Sequence, residues 1–257
     1  MFYNIITEQE NHVITLRLNR PKQNNALDTK ILEELTTFFD EISSDDELRA
    51  IIIRGNGHTF CEGADLNHLY NDETNSPHQH TILLAETLLA IRNCKVPVYA
   101  IAHGAIYGAG VGLIAAADVA IGIAGCSFCV PEVRMGLSPS TILPYIVNKM
   151  GYAKVSQYLY NAQSINASDA EKSGLISEVL SEENANTYIM KLTHHLLKAS
   201  PNAIRESKRL LMAVSQEFIS EQIKKMTIDS YVAIRNTDEA KEGIAAFFEK
   251  RKPQWAN

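Results

Sequence analysis

HGAIYGAGVG, His103–Gly112, sits between two apolar runs, VPVYAIA at 96–102 and DVAIGIA at 118–124. Each flanking run reads as a buried strand. The glycines between them, followed by the small-residue run VGLIAAA, mark a loop that enters a helix. Glycine at alternate positions 108, 110 and 112 lets a backbone come close to a ligand, and it serves close helix–strand packing equally well. The spacing is G-x-G-x-G, whereas a dinucleotide fold uses G-x-G-x-x-G with an acidic residue about 20 positions on for the ribose. No acidic residue is so placed, and a nucleotide site is set aside.

Working outward, VITLRL at 13–18 and AIIIR at 50–54 read as strands. Between them Asp28 can cap a helix running through Glu41, with Ile31, Leu32, Leu35, Phe38, Phe39 and Ile42 spaced for one apolar face. Beyond Pro139 the character changes: residues 141–160, 168–173, 182–199, 201–214 and 217–250 carry helical periodicity, and GLISEVL at 174–180 is the exception. The fold class is α/β, mixed over the first two-thirds and mostly helical in the last third. YNDETNSPHQH at 70–80 is polar, contains Pro77 and reads as a mobile loop.

With 257 residues and 46% hydrophobic content the chain can bury a sizeable core in one or two domains. A formal charge of −6 gives no general attraction to phosphate backbones or anionic lipid. Neither nucleic acid nor a membrane is expected as a partner. The N-terminus MFYNIITEQE has no signal-peptide pattern, and no apolar run approaches the roughly 20 residues of a membrane span. A soluble, cytoplasmic protein is expected. Cys126 and Cys129 form a C-x-x-C within CSFCV, which looks like a strand, and no second Cys/His pair lies nearby. Packing cysteines are the expectation, with no metal site.

Two further segments bear on chemistry. In GNGHTFCEGADL, 55–66, Gly63 permits a tight turn and a helix can open near Asp65. N–H groups just before a helix are unpaired and point outward, ready for an anionic oxygen. An ordinary strand–helix turn with Asp65 as cap fits as well. In FCVPEVRMGL, 128–137, Glu132 follows Pro131 among apolar residues. Partial burial would raise its pKa and suit it to proton transfer; a salt bridge to Arg134 is the alternative.

Taken together and in this order, the segments resemble the crotonase (enoyl-CoA hydratase/isomerase) family. The resemblance covers nearly the whole chain: LNRPKQNNALD at 18–28, FCEGADL at 60–66, HGAIYGAGVGL at 103–113, FCVPEVRMGL at 128–137, SDAEKSGLISEVL at 168–180 and AFFEKRKPQW at 246–255. It implies a spiral core of ββα turns, placed at 1–195, and a helical C-terminal region at 196–257 that serves trimer formation. Trimers or paired trimers (hexamers) are implied as the assembly. The implied substrate is an acyl-CoA, so coenzyme A enters as part of the substrate and no separate cofactor is needed. The thioester oxygen is implied to lie on the backbone N–H groups of Ala64 and Ala109, with Glu132 as acid/base. Ala64, Asp65, Leu66 and Asn67 are implied to line the CoA pocket, with Ala109, and Phe247 and Lys250 to close over CoA.

The resemblance also shows a departure. Typical hydratases of the family use two glutamates; the second matches Glu132, but the first falls at 112, where this chain has glycine. Glu62 matches a position whose backbone, not side chain, meets the adenine. Two readings follow. One is hydration of a short, branched 2-enoyl-CoA, since PEVRMGLSPSTILPYIV and GVGL look like a bacterial branch resembling methylglutaconyl-CoA hydratases of leucine or isoprenoid catabolism. There, space left at Gly112 would admit a distal substrate carboxylate, with Arg134 or His103 as its cation. The other is Δ3–Δ2 isomerisation, in which Glu132 alone shuttles a proton.

Overall fold

The computed structural model describes residues 2–71, 77–215 and 217–256. Its strands are β1 (Ile5–Glu10), β2 (Val13–Leu18), β3 (Ala50–Gly55), β4 (Val98–Ala102), β5 (Ala105–Tyr107), β6 (Val119–Ile123), β7 (Ser127–Cys129), β8 (Ile165–Asn166) and β9 (Glu178–Leu180). The helices are α1 (Thr29–Glu41), α2 (Leu66–Asn71), α3 (Pro77–Asn93), α4 (Ala109–Ala116), α5 (Leu143–Leu159), α6 (Ala167–Lys172), α7 (Glu182–Lys198), α8 (Pro201–Val214), α9 (Glu221–Arg235) and α10 (Asp238–Glu249).

Among the described residues the main sheet runs β1-β2-β3-β4-β6-β9, parallel throughout except for the antiparallel β1–β2 pair. A smaller sheet runs β5-β7-β8. Isolated parallel bridges Leu27↔Ala64 and Cys61↔Ile106 extend the same pairing to earlier parts of the chain. The chain therefore climbs in repeated ββα turns. It leaves a main-sheet strand (β2, β3, β4, β6), makes a short second pairing (Leu27, Cys61–Ala64, β5, β7) and then enters a helix.

Both faces of the main sheet are covered, which is why β3 reads as a continuous apolar run rather than an alternating one. Ile51 and Ile53 face the large core that also holds Leu32, Leu35, Leu88, Ile91, Leu113 and Phe128. Ala50 and Ile52 face a second cluster with Ile101, Ile121, Ala185 and Leu196, closed by α7. α1 starts where Asp28 predicts: its side chain accepts from Ile31 N at 3.0 Å.

Four readings of the sequence change. The helical run 217–250 divides at Asn236–Thr237, because the Thr237 side chain accepts from Ala240 N and starts a second helix. Of 174–180 only 178–180 are strand; Leu175 and Ile176 instead plug the core, 0% and 2% exposed. Within 70–80, residues 72–76 lie outside the described residues, while residues 70–71 and 77–80 belong to α2 and α3. Strand β5 lies inside the glycine segment, where periodicity gave no sign of it. Cys126 and Cys129 are buried free thiols, and burial pushes the Cys126 thiol up to about 11. No helix among the described residues is long and apolar enough to cross a membrane.

Candidate active site

The three glycine-bearing segments meet at one end of the parallel sheet, and backbone hydrogen bonds stitch them together. Phe60 N donates to His103 O at 2.8 Å, and Tyr107 N to Cys61 O at 3.1 Å. Gly108 N donates to Cys129 O and Ser127 N to Gly104 O, both at 2.9 Å. Segment 20–28 clamps the first turn from outside: Glu62 N donates to Asn24 O, Leu27 N to Gly63 O, and Asp65 N to Leu27 O. Gly63 N points to Cys61 Sγ at 3.4 Å.

This stitching consumes the donors around two N–H groups and leaves those two free. Among the described residues, Ala64 N and Ala109 N have no acceptor. They lie side by side, since a Cβ placed on Gly63 would be 3.3 Å from Ala109 N. Ala109 is the first residue of α4, where helix geometry leaves N–H groups unsatisfied and the dipole favours negative charge.

Glu132 completes the cluster. It opens a short 3-10 turn, Glu132–Met135, that Gly136 closes in the left-handed region. Its carboxyl lies over Gly108, where a Cβ would stand 2.6 Å from Glu132 Oε1. Gly108 also has φ +46°, so two independent constraints hold it to glycine. Glu132 Oε2 is buried with no hydrogen-bond partner among the described residues. Burial pushes the carboxyl above its ordinary range, opposed only by its own backbone N–H. The alternative salt bridge to Arg134 is not formed: that guanidinium donates to Asn161 O (3.2 Å) and Ala162 O (3.0 Å). A proton-affine carboxyl with one oxygen unpaired, near two free N–H groups, can move a proton at a carbon whose neighbouring carbonyl oxygen takes negative charge.

The molecule is similar to known proteins over essentially its whole length. Residues 8–257 match the family described as Enoyl-CoA hydratase/isomerase. The chain belongs to the enoyl-CoA hydratase/isomerase family. A crotonyl-CoA hydratase of Syntrophomonas wolfei is 31% identical over 98% of this chain and 97% of its own. A 2,3-dehydroadipyl-CoA hydratase of Escherichia coli is 26% identical over 98% of each. The crystal structure of an enoyl-CoA hydratase/isomerase from Marinobacter aquaeolei superposes with a TM-score of 0.93 at 27% identity, covering 99% of both chains. The crotonase spiral is thus the fold of this hydratase/isomerase family member.

Asp65, Leu66 and Asn67 follow Ala64 directly out of the site turn. The Asp65 carboxylate is engaged by Arg20 at 3.0 Å. Leu66 and Asn67, in the first turn of α2, are exposed. Phe247, 78% exposed, and Lys250 stand on and just after α10, which packs on α9. A groove of about 1100 Å³ between α8 and α9 contains none of the three site segments.

The open space expected at Gly112 is absent. Gly112 N donates to Gly108 O, so the residue sits one turn above the Glu132 contact. A Cβ there would meet Ile142 Cγ2 at 2.5 Å and Leu88 Cδ2 at 3.4 Å. Two apolar side chains fill the volume. Neither candidate cation is free: Arg134 is committed as above, and the His103 ring lies 3.2 Å from Gly57 O through Nε2. Sequence reasoning assigned no role to Ile142, to Arg20 or to Asn25. Asn25 is fully buried, and its amide ties Asn56 O and Thr59 O, both at 2.9 Å. An asparagine pair inside LNRPKQNNALD was the available signal, since a buried amide demands acceptors.

Two outcomes follow from this geometry. Gly112→Ala should destabilise the protein by about 1–3 kcal/mol, the usual cost of overpacking. In an Ile142→Ala background the same change should cost clearly less, as read from urea midpoints; equal costs in both backgrounds would remove Ile142 as the obstacle. The second outcome concerns pH. Below the ordinary carboxylate range Glu132 is protonated folded or unfolded and costs nothing. As pH rises the unfolded chain ionises first, so the fold loses stability until the folded carboxyl ionises too. Glu132→Gln should therefore gain stability relative to the parent as pH rises from about 4 to 7, with no gain at the acid end.

Proposed function

We propose that this protein adds water across the double bond of a 2-enoyl-CoA thioester with a short acyl chain, branched chains included. The observation that carries the reading is the pair of unsatisfied N–H groups, Ala64 and Ala109, near the Glu132 carboxyl with its buried, unpaired Oε2. The relatives named as hydratases of crotonyl-CoA and 2,3-dehydroadipyl-CoA support it.

In this mechanism the thioester oxygen accepts from both N–H groups. Glu132, ionised, takes a proton from water as the water oxygen bonds to C3. The C2–C3 π electrons move to the thioester, giving an enolate whose oxygen the two donors stabilise. Glu132 then returns its proton to C2, so one water is added and the carboxylate is regenerated. A preorganised donor of this kind contributes about 3–4 kcal/mol. A distal substrate carboxylate, as in 3-methylglutaconyl-CoA, would need a cation other than Arg134 or His103.

Isomerisation of a 3-enoyl-CoA is the second reading, favoured by the apolar wall of Ile142 and Leu88 at Gly112. Glu132 would then take a proton from C2 and deliver it to C4 through the same enolate. We also propose that the protein works as a trimer or a pair of trimers in the cytoplasm. Support for assembly comes from apolar side chains left exposed on the C-terminal helices, among them Leu211, Tyr231, Val232 and Phe248. Lys250 and Phe247 are proposed to meet CoA, as are Asp65, Leu66 and Asn67.

Crotonyl-CoA and 3-methylglutaconyl-CoA hydration should exceed 3-hexenoyl-CoA isomerisation in kcat/KM. An isomerase preference beyond about tenfold, or 1.4 kcal/mol, overturns the order. Glu132→Gln should lower kcat for the best substrate by about 10²–10⁴-fold, and a change of only a few-fold would remove Glu132 from the chemistry. Ala109→Pro deletes one donor at a helix position that accepts proline and should cost about 10²–10³-fold in kcat. Full activity in that folded variant would assign the oxygen to another group.

A further inference from the structure

The turn that carries Glu132 is tied only sparsely to the molecule around it. Gly108 N secures the chain before the turn at Cys129 O, and Pro139 O secures it afterwards by accepting from Ile142 N and Leu143 N. Between these points the backbone bonds close on the turn itself: Arg134 N donates to Pro131 O, Gly136 N to Val133 O and Leu137 N to Glu132 O. Every residue from 133 to 138 is exposed, the apolar Val133, Met135 and Leu137 included. A segment with few buried contacts and only local bonds opens easily. Yet Glu132 has to keep its carboxyl over Gly108 if it is to move protons.

One side chain crosses the gap. Arg134 Nη2 donates to Asn161 O at 3.2 Å and to Ala162 O at 3.0 Å, in the turn just beyond the C-terminus of α5. Carbonyls past a helix end favour a cation, and a guanidinium keeps its charge and donor geometry throughout the working pH range. Ala162 O also accepts from Cys129 Sγ at 3.3 Å. A single carbonyl therefore receives one donor from three residues before Glu132 and another from two residues after it. Ala162 is a firm anchor. It is 1% exposed and stands at φ +50°, a region that favours glycine, so its surroundings dictate where its carbonyl points.

We propose that Arg134 is a positioning residue that fixes the Glu132 turn, and with it the carboxyl, by tethering the turn to the carbonyls of Asn161 and Ala162. The inference rests on the reading of Glu132 as the acid/base and adds the contact that holds it in place. Loosening the turn misplaces the proton carrier and leaves the contacts to CoA alone, so the loss falls on kcat rather than KM.

The test compares full-length Arg134→Met and Arg134→Lys with the parent by kinetics on the best enoyl-CoA, by melting and by amide hydrogen exchange. Arg134→Met should lower kcat about tenfold or more with KM within about threefold. Arg134→Lys keeps a charged donor and should recover most, not all, of that loss. Exchange at the Gly136 and Leu137 amides should quicken in Arg134→Met, while β7 and α5 exchange as in the parent. The acid limb of kcat/KM supplies a sign. Burial raises the Glu132 carboxyl in the parent. A loosened turn admits water, so the limb should move down toward the ordinary carboxylate range; a purely electrostatic role would move it up, because a cation has been removed. An upward shift with unchanged turn exchange overturns the proposal. So does a higher KM at parental kcat, which would put Arg134 on the substrate, or a lower melting temperature at parental kcat, which would make it structural alone. If Arg134→Met does not fold, Arg134→Lys decides: a residual fall in kcat with faster turn exchange supports the tether, and parental values of both overturn it. Should the parent turn over no enoyl-CoA, the proposed reaction fails and Arg134 is judged by turn exchange, faster exchange supporting the tether and unchanged exchange overturning it.

Discussion

Everything at the site follows from how the backbone N–H groups near it are consumed. A buried donor without an acceptor is costly, so a chain that folds back on itself pairs nearly all of them. Here Glu62, Asp65, Tyr107 and Gly108 each give their N–H to a neighbouring segment, and Ala64 and Ala109 do not. The same bonds that hold the loops rigid therefore determine which two donors are available and where they point. Rigidity and chemistry come from one set of contacts, and no side chain at 64 or 109 takes part.

This explains what could be read from the residues and what could not. The strands at 13–18, 50–54, 96–102 and 118–124, and the helix capped by Asp28, are local patterns of apolar residues, and they stand where expected. Gly108 and Glu132 announced themselves as a flexible backbone point and an acid in apolar surroundings. Their contact joins residues 24 positions apart, and no local pattern encodes it. The clamp by residues 20–28 is less legible still. It is made by carbonyls and amides of Asn24 and Leu27, whose side-chain identities say nothing about the bonds. Family resemblance, carried by motifs over the whole length, supplied what periodicity lacked.

Gly112 shows the limit of reasoning from a missing side chain. Deleting a group from a sequence suggests a hole, but protein interiors close-pack, and a neighbour takes the volume. Ile142 and Leu88 have done so, turning a polar position into an apolar wall. The absent acid and the added methyl groups act in the same direction: both leave Glu132 without a charged companion. Burial is what raises its proton affinity, with no neighbouring charge contributing.

The ββα spiral also gives the site an order of assembly. Each turn pairs with the one before it, through Leu27↔Ala64, then Cys61↔Ile106, then β5 with β7. The donors belong to the second and third of these turns and Glu132 follows the last. A chain emerging from the ribosome cannot hold the complete constellation until the fourth turn has closed. Partly folded chains, however well formed their early strands, would thus be silent toward substrate, and activity counts only molecules whose spiral has been finished.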